Sequence, residues 1–272
     1  MTGHGFGLRV WLALWWVGYV FLRVVLRVLI GKERRRYVQD KLGIHPVRAY
    51  GVFYGNIEPY EAQVSRVVRN IFKQNGRVFV DVGAYFGYYV QMVDKLTTDA
   101  RIVAVEPDPV NLRVLRNRVA GCRNMVRVVS RAVWLKDDDE VEFHRGNPTD
   151  LKLGLSMCGS ILRNERAGFL SGFVVKVKTI RLDTLINLEG VEAVDLVKMD
   201  VEGAELPILC DPTLDLSKVK NMIVEVHYNY LSGESRRILS SLMKNGFRVV
   251  PLYPDNKANS YHLLAAKGEV PW

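Results

Sequence analysis

Residues 77–90 read RVFVDVGAYFGYYV, and this stretch decides the fold. Val78–Val80 is a short run of consecutive apolar residues, the pattern of a strand buried on both faces. Asp81 follows at its carboxyl end. Gly83 and Gly87 come next, four residues apart, with Ala84, Tyr85 and Phe86 between them. The aromatic run after Gly87 begins a helix. Strand, glycine turn and helix form the opening unit of a doubly wound α/β sheet, which binds its cofactor outside the carboxyl ends of the strands. Glycines there admit a ligand where a Cβ would collide, and the helix amino terminus offers N–H groups. A dinucleotide-binding turn requires G-x-G-x-x-G. The D-x-G-x-x-x-G found here disfavours a nucleotide-dependent dehydrogenase.

The rest of the chain extends this unit on both sides. Upstream, Tyr60, Val64, Val67, Val68, Ile71 and Phe72 repeat at helical spacing and stop at Asn75-Gly76. Downstream, Arg101–Glu106 (RIVAVE) reads as a second strand ending in an acid, 25 residues after Asp81. Pro107 then starts a helix with Leu112, Leu115 and Val119 on one face. An acid at the end of the second strand of such a sheet can accept both hydroxyls of a ribose. Met125–Val129 reads as the third strand, and Ser130-Arg131-Ala132 follows where an adenine edge would lie. Glu140–His144 and Phe173–Lys178 alternate as an added antiparallel pair, with His144 a strand-edge side chain. The Gly-, Ser- and Asn-rich 145–172 segment between them has the composition of a substrate-selecting loop. Residues 195–206, DLVKMDVEGAEL, read as a strand (Leu196–Met199) ending in Asp200 and Glu202, with Gly203 turning into a helix. A further strand, Met222–Val226, carries Glu225 and leads to His227. A helix over 234–245 and strands at 247–251 and 261–266 complete the expected domain, 58–272.

The net charge of +9 is unevenly distributed. Residues 1–36 hold seven Arg or Lys and one acid, so the basic excess is mostly theirs and does not imply nucleic acid. Within them Val10–Leu22 is thirteen residues without a charge, including Trp11, Trp15 and Trp16. As a helix this run spans about 20 Å at ~1.5 Å per residue, short of a bilayer core of ~30 Å. Continuing to Ile30 supplies the length and includes Arg23 and Arg27. Arg9, Arg23 and Arg27 fall on one narrow helical stripe, so a spanning helix and a helix lying in the interface both fit. The Lys32–Arg36 cluster predicts a cytoplasmic location for everything that follows. A signal peptide fits poorly, because basic residues rather than a small-residue cleavage site follow the apolar run. Residues 37–57, with Pro46 and Gly43, Gly51 and Gly55, read as a linker. Cys122, Cys158 and Cys210 lack metal-ligand spacing and suit a reducing compartment.

The order of these elements resembles the FkbM family of S-adenosylmethionine (SAM)-dependent methyltransferases. The residues that carry the resemblance are DVGAYFGYY at 81–89, VEPDP at 105–109, RLDTL at 181–185, DLVKMDVEGAEL at 195–206 and VEVH at 224–227, within about residues 58–253. Tyr85-Phe86 departs from the family, which more often has Asn followed by an aliphatic residue. The resemblance implies a Rossmann-like methyltransferase fold with a mostly parallel seven-stranded sheet, and O-methylation of sugars, polyketides and similar metabolites. Carried over by position, Asp81, Gly83, Ala84, Tyr85, Phe86 and Gly87 form the SAM loop. Glu106 holds the ribose, with Pro107, Asp108, Ser130, Arg131 and Ala132 completing the cofactor set. Asp200 and Glu202 face the reaction centre.

Methyl transfer is an in-line displacement, so alignment of the acceptor supplies much of the catalysis, and a general base activates a hydroxyl. Asp200 and His227 are the candidate bases, with Glu202 and Glu225 orienting the acceptor. The carboxylates could hold a divalent cation, but without a clear third ligand no metal is expected. An acceptor beside the membrane, such as a glycolipid head group, follows from combining the family with the apolar segment. A membrane-tethered module that binds SAM or S-adenosylhomocysteine without turning it over is the competing reading.

Overall fold

The structure, a computed structural model, describes residues 61–146, 148–150, 155–156, 158–162, 170–252 and 260–271. The expected amino-terminal hydrophobic helix and the 37–57 linker lie outside these residues. Among the described residues no helix is long and apolar enough to cross a membrane.

The chain enters through α1 (Ala62–Lys73), whose buried Val64, Val67, Val68, Ile71 and Phe72 are the periodic residues read from the sequence. Then come β1 (Val78–Val82), α2 (Tyr88–Leu96), β2 (Arg101–Val105), α3 (Pro109–Val119) and β3 (Met125–Val129). After an insertion follow α4 (Leu182–Leu188), β9 (Leu196–Met199), α5 (Glu205–Leu209), β10 (Asn221–Val226), α6 (Gly233–Lys244), β11 (Arg248–Leu252) and β12 (Tyr261–Ala266). The seven main strands lie in the order β11-β12-β10-β9-β1-β2-β3. Every neighbouring pair from β10 to β3 is parallel, and β12 alone runs against its neighbours. Strand order reverses between β1 and β9, the switch point at which such sheets bind ligands.

Strand alternation builds the core on both faces. Val80, Val82, Val103 and Val105 point into a cluster with α4, α5 and α6. Phe79, Ile102 and Ala104 point the other way, into a cluster with α1, α2 and Leu115 of α3. Among the described residues, three helices therefore cover each face of the sheet. Asp195 pins the amino end of β1 by accepting from the backbone N–H groups of Arg77 (2.7 Å) and Val78 (2.9 Å).

The insertion holds β4 (Ala132–Val133), β5 (Glu140–Gly146), β6 (Pro148–Asp150), β7 (Leu155–Ser156) and β8 (Leu170–Ile180). The expected antiparallel pair is present: β5 and β8 pair with Glu140 opposite Lys178 and Phe143 opposite Val175. β4 joins the other side of β8, and β6 and β7 form a separate two-stranded ribbon. That ribbon falls inside the segment read from its composition as a loop.

Candidate active site

A cleft opens at the carboxyl edge of the sheet, over the switch point. Gly83 and Tyr85 from the β1 turn, Glu106 and Pro107 after β2, Asn111 of α3, and Asp200 and Glu202 after β9 border it. The insertion supplies Arg131, Ala132, Val133, Phe143, Ser156, Gly159 and Ile161. The cleft thus joins the end of β2 to the acids at the end of β9.

The β1 turn is rigid for reasons internal to the protein. Gly83 has φ +79°, and a Cβ there would sit 1.9 Å from the carbonyl oxygen of Asp200. Gly87 has φ +83°, and its Cβ would lie 2.7 Å from Leu115 Cδ1. Contacts within the fold and the left-handed backbone therefore favour glycine at both positions, and Gly83 also borders the cleft. The turn amides are also engaged: Gly83 and Ala84 donate to the Val105 carbonyl, and Tyr85 donates to Glu106 Oε2 at 2.8 Å. Tyr85 (φ 52°) and Glu202 (φ 51°) hold left-handed backbone without being glycine, so both turns beside the cleft store strain.

Glu106 is buried, and Oε1 accepts from the Asp108 backbone at 2.9 Å and from Asn111 Nδ2 at 3.4 Å. Burial pushes its carboxyl up to about 8, against hydrogen bonds that favour the anion. Asp108 serves the scaffold rather than the cleft. Its Oδ1 caps α3 by accepting from Val110 and Asn111 N–H, and its Oδ2 binds Arg145 Nε at 2.6 Å and Ser156 Oγ at 3.0 Å. Asn111 and Ser156 exchange a further pair of hydrogen bonds, of 2.8 and 3.0 Å. The insertion is thereby latched onto the helix that follows Glu106.

Of the other expected cofactor residues, Asp81 is buried within β1 and Ala84 packs in the core beneath the turn. Phe86 packs against Tyr85 with tilted rings, and the Arg118 guanidinium lies over its ring at 4.5 Å. Ser130 is exposed, and neither it nor Ala84, Phe86 or Gly87 borders the cleft. Tyr85, Gly83, Glu106, Pro107, Arg131 and Ala132 do.

All four expected catalytic residues meet around His227. Its Nε2 lies 3.1 Å from Glu202, 3.6 Å from Glu225 and 4.0 Å from Asp200, and its Nδ1 lies 2.9 Å from Glu205. Burial opposes the imidazolium charge, but the hydrogen bonds to Glu202 and Glu205 outweigh it and push the ring up to about 12. That shift favours the imidazolium form and weighs towards Asp200 over His227 as the base. Asp200 is raised well above the usual carboxylate range, first by burial and then by the Glu225 charge. Its Oδ1 is buried and accepts no hydrogen bond, while its Oδ2 faces Lys198 Nζ at 3.4 Å. Burial would raise Glu225 too, but the hydrogen bond with His262 and the charge of His227 hold it low. Donor atoms of Asp200, Glu202 and His227 come within 4.8 Å of one another, close enough for three metal ligands. This supplies the third ligand that the sequence did not show, and Glu205 on Nδ1 leaves His227 Nε2 facing the other two donors. The acids also act on Cys158, whose thiol burial and Glu202 push up to about 12.

Glu205 and Lys198 were not anticipated. Glu205 is wholly buried and accepts from the Gly203 backbone at 3.0 Å while holding His227. It is the final acid of the DVEGAE stretch, so its motif was the available signal. Lys198 is buried in β9, its Nζ 5.1 Å from the centre of the Tyr89 ring. A lysine inside an apolar strand was the only signal for it.

The Methyltransferase FkbM domain model matches residues 81–249. The chain belongs to the FkbM methyltransferase family. Among FkbM-related proteins, the 2-O-methyltransferase NoeI of Sinorhizobium fredii is 25% identical over 175 residues, 60% of this chain and 68% of that protein. The 31-O-demethyl-FK506 methyltransferase FkbM of Streptomyces tacrolimicus is 26% identical over 215 residues, 71% and 81% of the two chains. An ornithine lipid N-methyltransferase of Singulisphaera acidiphila matches at 35% over 77 residues, 28% of this chain and 40% of its own. Among solved structures, an O-methyltransferase from Bacillus cereus superposes with a TM-score of 0.45 at 14% identity, covering 90% of this chain and 96% of its own. Strand order and register carry the fold assignment. For an FkbM-type enzyme the donor set suits SAM: an acid for a diol, apolar walls (Val105, Pro107, Val133, Ile161) for a flat ring, and carboxylates for a sulfonium.

Proposed function

We propose that this protein is a SAM-dependent O-methyltransferase acting on a hydroxyl of a sugar, glycolipid head group or similar metabolite. We place it at the cytoplasmic face of a membrane, attached through residues 1–36. The observation that carries the chemistry is Asp200, an acid of raised pKa whose Oδ1 has no hydrogen-bond partner at the edge of the cofactor cleft. Bound SAM would supply an electrophilic methyl group. The Asp200 carboxylate accepts the acceptor's hydroxyl proton, a role suited to an acid raised above the ordinary carboxylate range and so more basic. His227, hydrogen-bonded to Glu202 and Glu205, holds the surrounding acids in place. Glu202 and Glu225 orient the acceptor. Glu106, with Asn111 beside it, binds the ribose.

Membrane location is supported by the uncharged run at 10–22 and the basic cluster that follows it. The test compares lipid extracts of cells with and without the gene by mass spectrometry. The expected result is a species lighter by one methylene in the deletion, with tandem fragmentation placing the missing methyl on oxygen. A missing N-methyl would reassign the acceptor atom. Calorimetric SAM binding without methyl release, across extracts, would instead support the tethered binding module.

A further inference from the structure

Charge is segregated within the folded domain. Residues 62–124 hold ten Arg or Lys and five Asp or Glu, whereas residues 125–272 hold nineteen and twenty. Four of the five acids in the first segment (Asp81, Asp94, Glu106 and Asp108) are buried, and the fifth, Asp99, is paired to Arg77. The cations remain outside. α1, α2 and α3 form one layer on one face of the sheet: their apolar sides enter the same core cluster, Gln91 of α2 donates to the Arg118 carbonyl, and Arg123 donates to Asp94. Because the apolar stripe of each helix faces the sheet, its basic residues face away. Arg66 and Lys73 on α1, Lys95 on α2, Arg113 and Arg116 on α3, and Arg123 just after it are all exposed.

We propose that this α1–α2–α3 face is a docking surface for an anionic lipid bilayer. The occupant is chosen on charge complementarity and on the chain itself. A layer of cations with no interspersed free acid matches a negatively charged membrane surface. The run at 10–22 and its basic flank lie on the amino-terminal side of α1 in the sequence. Nucleic acid is the other polyanion of this size. No large exposed apolar or aromatic side chain of the described residues lies on α1, α2 or α3, so the face offers no stacking platform for unpaired bases. Weak insertion combined with a basic patch is a standard physical route to stable peripheral attachment. With the helix layer flat on the bilayer, the sheet lies parallel to the membrane and the cleft at its carboxyl edge opens sideways, along the headgroup layer. The choice of lipid rests on the membrane location proposed above; the segregation of charge does not.

The test is flotation of the full chain with phosphatidylcholine vesicles, with and without phosphatidylglycerol, at low and high salt. The variant is R66E/K73E/R113E/R116E, none of whose positions borders the cleft. Phosphatidylglycerol should strengthen wild-type binding about tenfold or more, salt should reverse the gain, and the variant should lack it. The neutral set R66Q/K73Q/R113Q/R116Q should lose part of it, and unchanged SAM affinity and melting temperature report an intact fold. A phosphatidylglycerol gain equal in wild type and variants overturns the docking face, while attachment through residues 1–36 survives. Wild-type binding only to phosphatidylglycerol vesicles, lost in the variant, supports the face and removes the hydrophobic attachment. Binding to transfer RNA that the variant loses, with no phosphatidylglycerol gain in the wild type, overturns the lipid assignment in favour of nucleic acid.

Discussion

His227 shows how a single residue's role is set by its neighbours. An isolated histidine titrates near neutrality and is an obvious base. Here carboxylates at both ring nitrogens hold its pKa up, and the proposed mechanism assigns the proton to Asp200 instead. Asp200→Asn should therefore lower kcat about 10²–10⁴-fold, leave SAM affinity within a factor of a few, and abolish the acidic limb of the kcat pH profile. Full turnover by this variant would remove Asp200 as base. Truncating His227 should act differently. His227→Ala leaves Glu202 and the wholly buried Glu205 without their cation, and should destabilise the fold by about 3–5 kcal/mol in chemical denaturation. Strain supplies a separate prediction. Tyr85 is left-handed at φ 52°, a conformation that asparagine tolerates far better. Tyr85→Asn should raise stability by about 1 kcal/mol, read as a higher melting temperature. An unchanged or lower melting temperature would mean that the ring contacts with Phe86 outweigh the strain.

At the scale of elements, the parts legible in the sequence were those written in local periodicity. The apolar runs of β1, β2, β9 and β10, the amphipathic stripe of α1 and the β5–β8 alternation all correspond to elements of the structure. DVEGAE placed Asp200 and Glu202 at the cleft for the same reason, since strand, acid and turn are contiguous there. The β6–β7 ribbon was invisible, because three residues paired with two in a Gly- and Ser-rich stretch leave no periodic signal. The latch that holds the insertion was also hidden. Arg145 meets Asp108 across 37 positions and Ser156 meets Asn111 across 45, and sequence spacing says nothing about such pairs. Asp108 looked like a cofactor residue because it belongs to VEPDP, whereas its carboxylate is consumed by the α3 cap and the latch. Arg145→Ala should leave Asp108 Oδ2 buried beside a lone Ser156 hydroxyl and cost about 3 kcal/mol. If the latch also holds Glu106 in register, SAM affinity should fall with it, and calorimetry alongside denaturation separates the two effects. A fully stable Arg145→Ala protein would show that the pair contributes nothing to the fold.

Across the whole molecule, the buried acids of the cleft give stability a direction with pH. Glu106 ordinarily titrates near 4.5 and is pushed up to about 8 by burial, so the folded chain holds a proton that the unfolded chain has released between those values. Stability linked to Glu106 is fully present below about 4.5 and is lost as pH rises through about 8. Asp200 shifts in the same direction. His227, raised from 6.5 to about 12, adds stability that is present below 6.5 and fades at higher pH. Glu225 and the capping and paired aspartates Asp94, Asp183 and Asp195 are shifted down, so their contribution is lost on acidification. The cofactor-free protein should thus be most stable in mild acid and weaken steadily towards pH 9. Glu106→Gln isolates this shift, because the amide keeps the side chain's shape and cannot ionise. Each pKa unit corresponds to about 1.4 kcal/mol, so the variant should recover up to a few kcal/mol relative to wild type at pH 9 and gain little at pH 5. Thermal melts of both proteins across that range read the difference directly. A constant offset between the two curves would mean that Glu106 is ionised throughout, with its hydrogen bonds from Tyr85, Asp108 and Asn111 outweighing burial.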